Sequence, residues 1–325
     1  MNRVPFLLKP AVKDYLWGGS RLKEDFGKAT DLYPLAETWE CSTHRDGQST
    51  VDGVLLGDVL SKNPDFLGTH PLEITHGKPV LPILIKLIDA KSDLSVQVHP
   101  DDEYALANEG DFGKTEMWYV LDATDDARLV YGFNQDMTAD RVRKEIEKGS
   151  ISLFLNSIAV HKNDVFYIPS GTVHAIGAGC VIAEIQESSN ITYRLYDYNR
   201  VDKNGQKRAL HIDKALSVAD LKASPIPRQP MRVLRYRNGC ASELLARCRY
   251  FQVERLLINT EQSRNPVLYQ TERNSFHALL CVDGSGRIST EGLSLDFSKG
   301  DCLFVPASSV PIRFFAQAQL LSVCC

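Results

Sequence analysis

Residues 94–99 read Leu-Ser-Val-Gln-Val-His and alternate strictly between apolar and polar side chains. Such alternation predicts a β-strand whose two faces differ. Its apolar face carries Leu94, Val96 and Val98, and its polar face carries Ser95, Gln97 and His99. Charged residues are the usual choice for a face in solvent, and this polar face has none before Pro100. We therefore expect the polar face to line the lumen of a β-structure.

Similar short, β-rich segments separated by turn residues recur along the chain. They cover 83–88, 94–98, 116–121, 127–132, 164–168, 181–186, 191–196, 251–258, 275–282, 286–289, 302–305 and 312–315. Strands at this spacing predict a mainly β fold, a sandwich or a barrel. Helical signals are few and short. They predict helices from Asp101 to Gly110, from Thr138 to Lys148 and over 212–221.

The segment 224–230 contains Pro225, Pro227 and Pro230 and propagates neither a helix nor a central strand, so it predicts a linker. We place a boundary there, with a catalytic domain at 1–230 and a degenerate β-domain, also jelly-roll-like, at 231–325. Two segments resemble each other across this boundary, Asn-Asp-Val-Phe-Tyr-Ile-Pro at 163–169 and Gly-Asp-Cys-Leu-Phe-Val-Pro at 300–306. Such an internal repeat is typical of the sheet-end turns of a double jelly roll.

Composition excludes several classes of protein. The 325 residues are 43% hydrophobic and 24% charged, with a net charge of −4, which is typical of a globular protein and provides no basic field for nucleic acid or an anionic membrane. Lys86 and Asp89 interrupt the most apolar stretch, and the apolar run at 4–8 is too short for a secretory signal. We therefore expect a cytoplasmic protein with reduced cysteines and with Cys324 and Cys325 in an exposed tail.

Glu116 opens an apolar strand on the same face as Trp118 and Val120. A carboxylate with apolar neighbours must be paired, protonated or bound to a metal, because an isolated buried charge is unfavourable by several kcal/mol at least. His174 follows a Pro/Gly turn on another segment. Two imidazoles, one carboxylate and one amide oxygen from neighbouring strands would suit Zn, Fe, Mn or Ni and leave room for substrate.

Three segments resemble the metal-site motifs of the type I mannose-6-phosphate isomerases: Ser-Val-Gln-Val-His-Pro-Asp-Asp at 95–102, Gly-Lys-Thr-Glu at 113–116 and Pro-Ser-Gly-Thr-Val-His-Ala-Ile-Gly at 169–177. Tyr-Leu-Trp-Gly-Gly at 15–19 and Ala-Glu-Thr-Trp-Glu at 36–40 resemble two further segments of that family. The similarity spans about residues 5–215. It implies a zinc-dependent cupin, a double jelly roll that interconverts mannose 6-phosphate and fructose 6-phosphate, in its short bacterial form.

The resemblance also implies roles for individual residues. His99, Glu116 and His174 match the zinc ligands, and Gln97 matches a fourth or weaker ligand, with one zinc ion per subunit. Arg194 matches the catalytic arginine, and Lys114 matches a lysine that assists in proton transfer or phosphate binding. A solvated loop lysine and a salt-bridged surface arginine are the alternatives for these two residues.

Ser95, Trp17 and Arg200 are the predicted substrate-binding residues. Arg200 stands where longer family members have a lysine, and a guanidinium pairs bidentately with phosphate. No Gly-rich phosphate loop is present in the sequence, so recognition of the phosphate depends on such side chains.

The implied reaction removes a proton from carbon and develops negative charge on an enediolate, which a divalent cation and Arg194 would stabilise. The base stays open between a zinc-bound hydroxide, Lys114 and Glu184. The alternatives to this function are a non-catalytic sugar-binding cupin and a metal cupin enzyme for another substrate, either a dioxygenase or an isomerase of a different sugar. A dioxygenase would require Fe or Cu and oxygen.

Overall fold

A computed structural model describes residues 3–201, 205–227, 229, 231–261 and 265–325. The helices are α1 Arg21–Glu24, α2 Leu56–Lys62, α3 Thr69–Ile74, α4 Asp102–Asn108, α5 Ala139–Glu147 and α6 Ile212–Val218, with 3-10 turns at Pro64–Phe66 and Ile151–Phe154. The first twelve strands are β1 Phe6–Leu8, β2 Ala11–Lys13, β3 Glu37–Cys41, β4 Thr50–Val51, β5 Val54–Leu55, β6 Ile83–Ala90, β7 Val96–Val98, β8 Glu116–Ala123, β9 Arg128–Phe133, β10 Leu155–Ala159, β11 Val165–Ile168 and β12 His174–Ile176. The later strands are β13 Cys180–Glu187, β14 Tyr193–Tyr196, β15 Arg235–Arg237, β16 Cys240–Arg247, β17 Gln252–Asn259, β18 Val267–Tyr269, β19 His277–Thr290, β20 Leu293–Ser298, β21 Cys302–Val305 and β22 Ile312–Cys324.

Two antiparallel sheets pack face to face and form the first β-sandwich. A six-stranded sheet has the order β11-β8-β13-β6-β3-β2, and a five-stranded sheet has the order β10-β9-β12-β7-β14. Apolar side chains from both sheets form one buried cluster between them, including Trp118 and Ile182 from the first sheet and Leu129 and Ile176 from the second. The outer face of the five-stranded sheet packs on α5 and α6 through Val96, Val98, Val142 and Ala215. The sandwich is therefore closed by helices on one side.

A nine-stranded sheet covers the other side. Its path runs β1-β21-β19-β22-β17-β16-β15, with β18 on β22 and β20 on β19. One apolar cluster joins the outer face of the six-stranded sheet, through residues such as Ile85 and Tyr119, to residues such as Leu280 and Val323 of the nine-stranded sheet. A second cluster, with Leu279 and Phe314, fills the interior of this C-terminal unit. The predicted double jelly roll, mainly β with a few short helices, is confirmed.

Burial of the six-stranded sheet on both faces explains its sequence. Every residue of β6 and of β13 is buried, which requires nearly continuous apolar residues rather than alternation. Two charged residues within these strands, Lys86 and Glu184, face the interior of the first sandwich beside the polar face of β7. The functional side chains therefore converge between the two sheets of the first sandwich.

Most predicted elements are present, with differences at their ends. Thr138 caps α5 and Asp101 caps α4 through their side chains, as their positions predicted. The predictions at 275–282 and 286–289 are one strand, β19, with an irregular register between Cys281 and Asp283. Leu94 was expected on the outer face with Val96 and Val98, but it packs between the sheets, because the strand begins only at Val96.

The C-terminal tail differs from expectation. Cys324 lies in β22, paired with Gln252, and Cys325 is half-buried with its backbone N–H donating to Ser275 Oγ. An exposed tail was therefore the wrong prediction. Asn163 and Gly300, the first residues of the two similar segments, both have positive φ, 75° and 98°, and each lies two residues before its strand, β11 or β21. The two segments thus make the same kind of turn at the start of a strand.

Only part of the predicted linker lies within the described residues. Residues 224–227 belong to no helix or strand, whereas Pro230 lies outside the described residues. The boundary at residue 230 stays a prediction, and β1 from the N-terminal segment pairs with β21 in the C-terminal sheet. Within the described ranges, no helix is long and apolar enough to cross a bilayer.

Candidate metal centre and substrate cavity

Three buried side chains meet between the sheets. Nε2 of His174 lies 3.3 Å from Oε1 of Glu116, and Nε2 of His99 lies 3.6 Å from Oε2 of the same carboxylate. All three donor atoms lie within 4.8 Å of one another. They come from the start of β12, the residue after β7 and the start of β8, so both sheets contribute. The sequence prediction that these three residues share one site agrees with this geometry.

Backbone carbonyls fix the orientation of both imidazoles. Nδ1 of His99 lies 2.8 Å from the carbonyl of Ile191, and Nδ1 of His174 lies 2.8 Å from that of Thr172. A carbonyl only accepts, so Nδ1 carries the proton in each ring and the lone pair of Nε2 faces the centre. Burial and the nearby charge of Lys114 lower the pKa of both histidines, to about 4 for His174. Both rings are therefore neutral at pH 7, as metal ligands must be.

Glu116 is the strongest indication that a cation belongs here. Burial and the neighbouring Glu184 carboxylate raise the pKa of Glu116. Both carboxylate oxygens are buried without a hydrogen bond, although Nζ of Lys114 lies 2.6 Å from Oε2. The cluster holds three buried carboxylates, Glu37, Glu116 and Glu184, against two lysines, so one negative charge is left over before any cation binds. A divalent cation fits this donor set and this charge.

Gln97 lies beside the same centre. Its Nε2 is 3.4 Å from Nε2 of His174, to which it donates. In the sheet it pairs with His174 on β12 and with Arg194 on β14, so the three residues form one row across the five-stranded sheet. Rotation of the amide by half a turn would present Oε1 to the centre instead of Nε2, as a fourth ligand would require.

A second row of side chains crosses the opposite sheet. Trp39, Lys86, Glu184 and Trp118 are successive register partners on β3, β6, β13 and β8. Nζ of Lys86 lies 3.4 Å from Glu184 Oε1 and 3.7 Å from Glu37 Oε2, over the ring of Trp39.

Hydrogen bonds complete this row. Trp118 Nε1 donates to Glu184 at 3.1 Å, and Trp39 Nε1 donates to Glu37 at 2.7 Å. Burial acts to raise the pKa of Glu184, but the charges of Lys114 and Lys86 outweigh it and hold that pKa below its usual value. The Glu184 carboxylate is therefore ionised at pH 7.

These two rows form opposite walls of one cavity of about 290 Å³. The predicted site residues that line it are Trp17, Ser95, Gln97, Lys114 and Arg194. His99, Glu116 and His174 lie fully buried at its edge, in contact with Gln97 and Lys114. A larger cavity of about 740 Å³, lined by residues such as Asp102, Glu187 and Tyr250, contains none of these predicted residues.

Arg194 and Ser95 lie on the same wall as Gln97. Nε of Arg194 donates to Ser95 Oγ at 3.3 Å, and its Nη1 donates to the carbonyl of Ala209 at 2.9 Å. Among the described residues, no carboxylate lies within ion-pair distance of Arg194. A salt-bridged surface arginine, the alternative for this position, does not describe this environment.

Arg200 occupies a different place from the other predicted residues. Its guanidinium donates to the carbonyl of Asp93 and to the carboxylate of Asp197, and it is not among the residues that line the cavity. Arg208, which the sequence analysis did not single out, does line it. The role of Arg200 in substrate binding stays a prediction.

Sequence reasoning also missed Lys86 and Glu37. The sequence did indicate a role for Lys86, because a lysine within an almost continuous apolar strand is a buried charge that needs a partner, as Glu116 does. Arg208 carried no such signal, since it lies in an irregular segment that only the tertiary fold brings to the cavity.

Comparison with known proteins identifies similar chains. Residues 6–126 match the family described as phosphomannose isomerase type I, catalytic domain, and residues 242–325 match mannose-6-phosphate isomerase, cupin domain. A probable mannose-6-phosphate isomerase, GmuF of Bacillus subtilis, is 37% identical over 93% of each chain. The mannose-6-phosphate isomerase of Streptococcus mutans is 34% identical over 98% of this chain and 97% of its own. The crystal structure of the mannose 6-phosphate isomerase from Bacillus subtilis superposes with a TM-score of 0.86 at 31% identity, covering 98% of this chain and 99% of that one.

Proposed function

Because this chain belongs to the mannose-6-phosphate isomerase family, we propose that it is a zinc-dependent aldose-ketose isomerase that interconverts mannose 6-phosphate and fructose 6-phosphate through an enediolate. The observation that carries the proposal is that a buried His/Glu/His cluster meets, at one cavity, an arginine that has no carboxylate partner among the described residues. The cluster suits a Lewis acid, and the arginine suits a developing anion.

His99, Glu116 and His174 would hold one zinc ion per subunit, with Gln97 as the fourth ligand. Imidazole nitrogen and carboxylate oxygen are common zinc ligands, and the absence of thiolate is typical of catalytic rather than closed structural sites. When bound, zinc would polarise the carbonyl and hydroxyl oxygens of the open-chain sugar at C1 and C2.

Arg194 stabilises the negative charge that develops on the substrate oxygens. Its guanidinium stays charged at any working pH, and Ser95 and the Ala209 carbonyl hold it in place beside Gln97. Because the group is oriented before the reaction, little reorganisation is needed in the transition state. Arg194 therefore acts on the rate of the chemical step.

Glu184 and Lys114 move the proton. Oε1 of Glu184 is buried without a hydrogen bond and lies 3.7 Å from Nζ of Lys114. We assign the base to Glu184 because its carboxylate is ionised and lines the cavity, and the adjacent ammonium can protonate the forming alkoxide. Both residues line the cavity, so a bound sugar lies against them. Trp17 and Ser95 line the same cavity, and the Ser95 hydroxyl can donate a hydrogen bond to the sugar or accept one from it.

A coupled assay tests the proposal. Formation of fructose 6-phosphate from mannose 6-phosphate is followed on the protein as purified, after chelation and after addition of zinc, with metal content measured in parallel. We expect activity to vanish with the chelator and to return with zinc. Bound metal without turnover would instead favour a sugar-binding cupin or another substrate, and absence of both would refute the site.

A further inference from the structure

Four charged side chains form one group, and two of them, Arg194 and Arg208, line the cavity. Asp197 is buried and accepts hydrogen bonds from Nε and Nη2 of Arg208, at 2.8 and 2.5 Å. It also accepts one from Nη2 of Arg200. Arg194 is the fourth member and the second residue of β14. One carboxylate therefore faces three guanidinium groups.

The fold places Arg208 by pairing its segment with β14. The N–H of His211 donates to the carbonyl of Arg194 at 2.8 Å, and the N–H of Arg194 donates to Nδ1 of His211 at 3.1 Å. This holds the segment that carries Arg208 along the open edge of the five-stranded sheet. Within the described part of the chain, Nη1 of Arg208 has no protein acceptor, and the side chain lines the cavity.

The charge balance indicates an anion. Among the described residues, Asp197 is the one carboxylate that pairs with members of this group, so two of the three guanidinium charges have no carboxylate to balance them there. The pKa of Arg194 is lowered by burial and then by the charge of Arg208, which shows that the cations act on one another. The metal end of the cavity carries the opposite excess before a cation binds. A phosphate monoester carries about −1.5 to −2 charge at pH 7, which matches the surplus.

The spacing along the wall is also consistent with a sugar phosphate. Gln97 lies at the metal centre, and Ser95, which contacts Arg194, lies two residues back along the same chain, about 7 Å away at the usual rise per residue. Asp93, whose carbonyl binds Arg200, lies a further two residues back. An open-chain hexose 6-phosphate with C1 and C2 at the metal centre extends its phosphate along this wall, away from the zinc ligands.

We infer that Arg208, oriented by Asp197, binds the phosphate group of the substrate and makes the cavity selective for phosphorylated over free sugars. This inference rests on the proposed isomerase function for the identity of the sugar, whereas the site itself takes any phosphate monoester or inorganic phosphate. Arg200 contacts Asp197 but is not among the residues that line the cavity, and it acts as a positioning residue. The assignment therefore differs from the sequence prediction, which gave phosphate contact to Arg200.

Inorganic phosphate is the probe that separates the two arginines. Its binding is measured by titration calorimetry and by competitive inhibition, on Arg208→Met, Arg200→Met and Lys207→Met. Lys207 is the matched control, since it is the exposed neighbour of Arg208 and loses the same charge. Melting temperature and zinc content are measured on each variant. Arg208→Lys serves as a second variant that keeps a cation but not the paired hydrogen bonds to Asp197.

We expect Arg208→Met to weaken phosphate binding and to raise KM for mannose 6-phosphate by about 10- to 100-fold, as loss of a charge-assisted hydrogen bond implies. Its kcat changes much less, and kcat/KM for free mannose stays as in the wild type. Arg208→Lys lies between, Arg200→Met shows a smaller loss, and Lys207→Met shows none.

Wild-type phosphate affinity in Arg208→Met, or a greater loss in Arg200→Met, would overturn the assignment. If the wild type does not convert mannose 6-phosphate yet binds phosphate through Arg208, the proposed isomerase function fails and the phosphate site stands. If turnover is intact and phosphate binding does not depend on Arg208, the assignment of the phosphate site fails and the proposed isomerase function stands.

Discussion

The ammonium of Lys86 lies 3.4 Å from the carboxylate of Glu184, on adjacent strands of a sheet that is buried on both faces. The pair is a register pair of β6 and β13, so the backbone holds the two charges opposite each other. Lys86 also lies 3.7 Å from Glu37. The Lys86 ammonium thus pairs with two buried carboxylates on one wall of the cavity.

Replacement of Lys86 by Met should be strongly destabilising. It leaves Glu37 and part of the Glu184 charge uncompensated in the interior, and loss of one partner of a buried ion pair lowers the free energy of unfolding by about 3–5 kcal/mol. Urea unfolding measures this value. The control is Lys144→Met on the exposed face of α5, which should stay within about 0.5 kcal/mol of the wild type. An equal, small effect of both variants would show that the Lys86 charge is not needed in the fold.

Glu116→Gln should abolish metal binding while it keeps the shape of the side chain. The amide removes the negative charge that the zinc site requires, so the loss in metal affinity should exceed the roughly 10- to 100-fold typical of changes in groups that only support ligands. Zinc stoichiometry after dialysis is the measurement, with circular dichroism to check the fold. Glu103→Gln, on exposed α4, is the matched control and should retain one zinc per chain. Retention of zinc by Glu116→Gln would remove this residue from the ligand set.

Arg194→Met should fold, keep zinc and lose turnover. Removal of one preorganised charge at a developing oxyanion lowers kcat by about 100- to 1,000-fold. The variant is compared with Arg141→Met on α5, which removes a guanidinium far from the cavity and should leave kcat unchanged. Normal kcat in Arg194→Met would disprove its catalytic role.

Glu184→Gln separates proton transfer from metal binding. We expect kcat to fall by about 100- to 10,000-fold, the usual range for a general base, with zinc content unchanged. Exchange of the C2 proton of the substrate with solvent deuterium reports the same step directly. A variant that keeps this exchange would direct attention to one of the other two bases, the zinc-bound hydroxide or Lys114.

His277 should make the protein sensitive to acid. Burial beside Tyr269 and Ser322 lowers the pKa of His277 to about 4, below its ordinary value of 6.5. Above pH 6.5 His277 is neutral in both the folded and the unfolded state. As the pH falls from 6.5 through 4, the unfolded state binds a proton that the folded state does not, and the free energy of unfolding falls by at most about 1–3 kcal/mol. In His277→Asn, the fall in unfolding free energy between pH 7.5 and pH 4.5 should be smaller by this amount. The zinc-site histidines titrate equally in both proteins and cancel in the difference.

The sequence predicted the local parts of this site and not its long-range parts. Alternation in 94–99 and the isolated charge of Glu116 are properties of single strands, so they can be recognised without the fold. The contribution of Arg208 depends on a loop that returns to β14, and that of Lys86 depends on which strands become neighbours. Helices α2 and α3 were missed, since neither has a side-chain cap and both are short. Their stability comes from packing that the sequence pattern does not display.

The position of β1 affects how the chain is assembled on the ribosome. Phe6 pairs with Phe304, and the rings stack at 5.1 Å. Strand β1 is therefore synthesised long before its partner β21, and until β21 emerges the edge of β1 and the outer face of the six-stranded sheet stay uncovered. Contacts between such distant residues slow folding and prolong exposure to aggregation. In the folded protein the same pairing joins residues 6–8 to the C-terminal sheet, so cutting the gene near codon 230 would leave β1 without its partner strand.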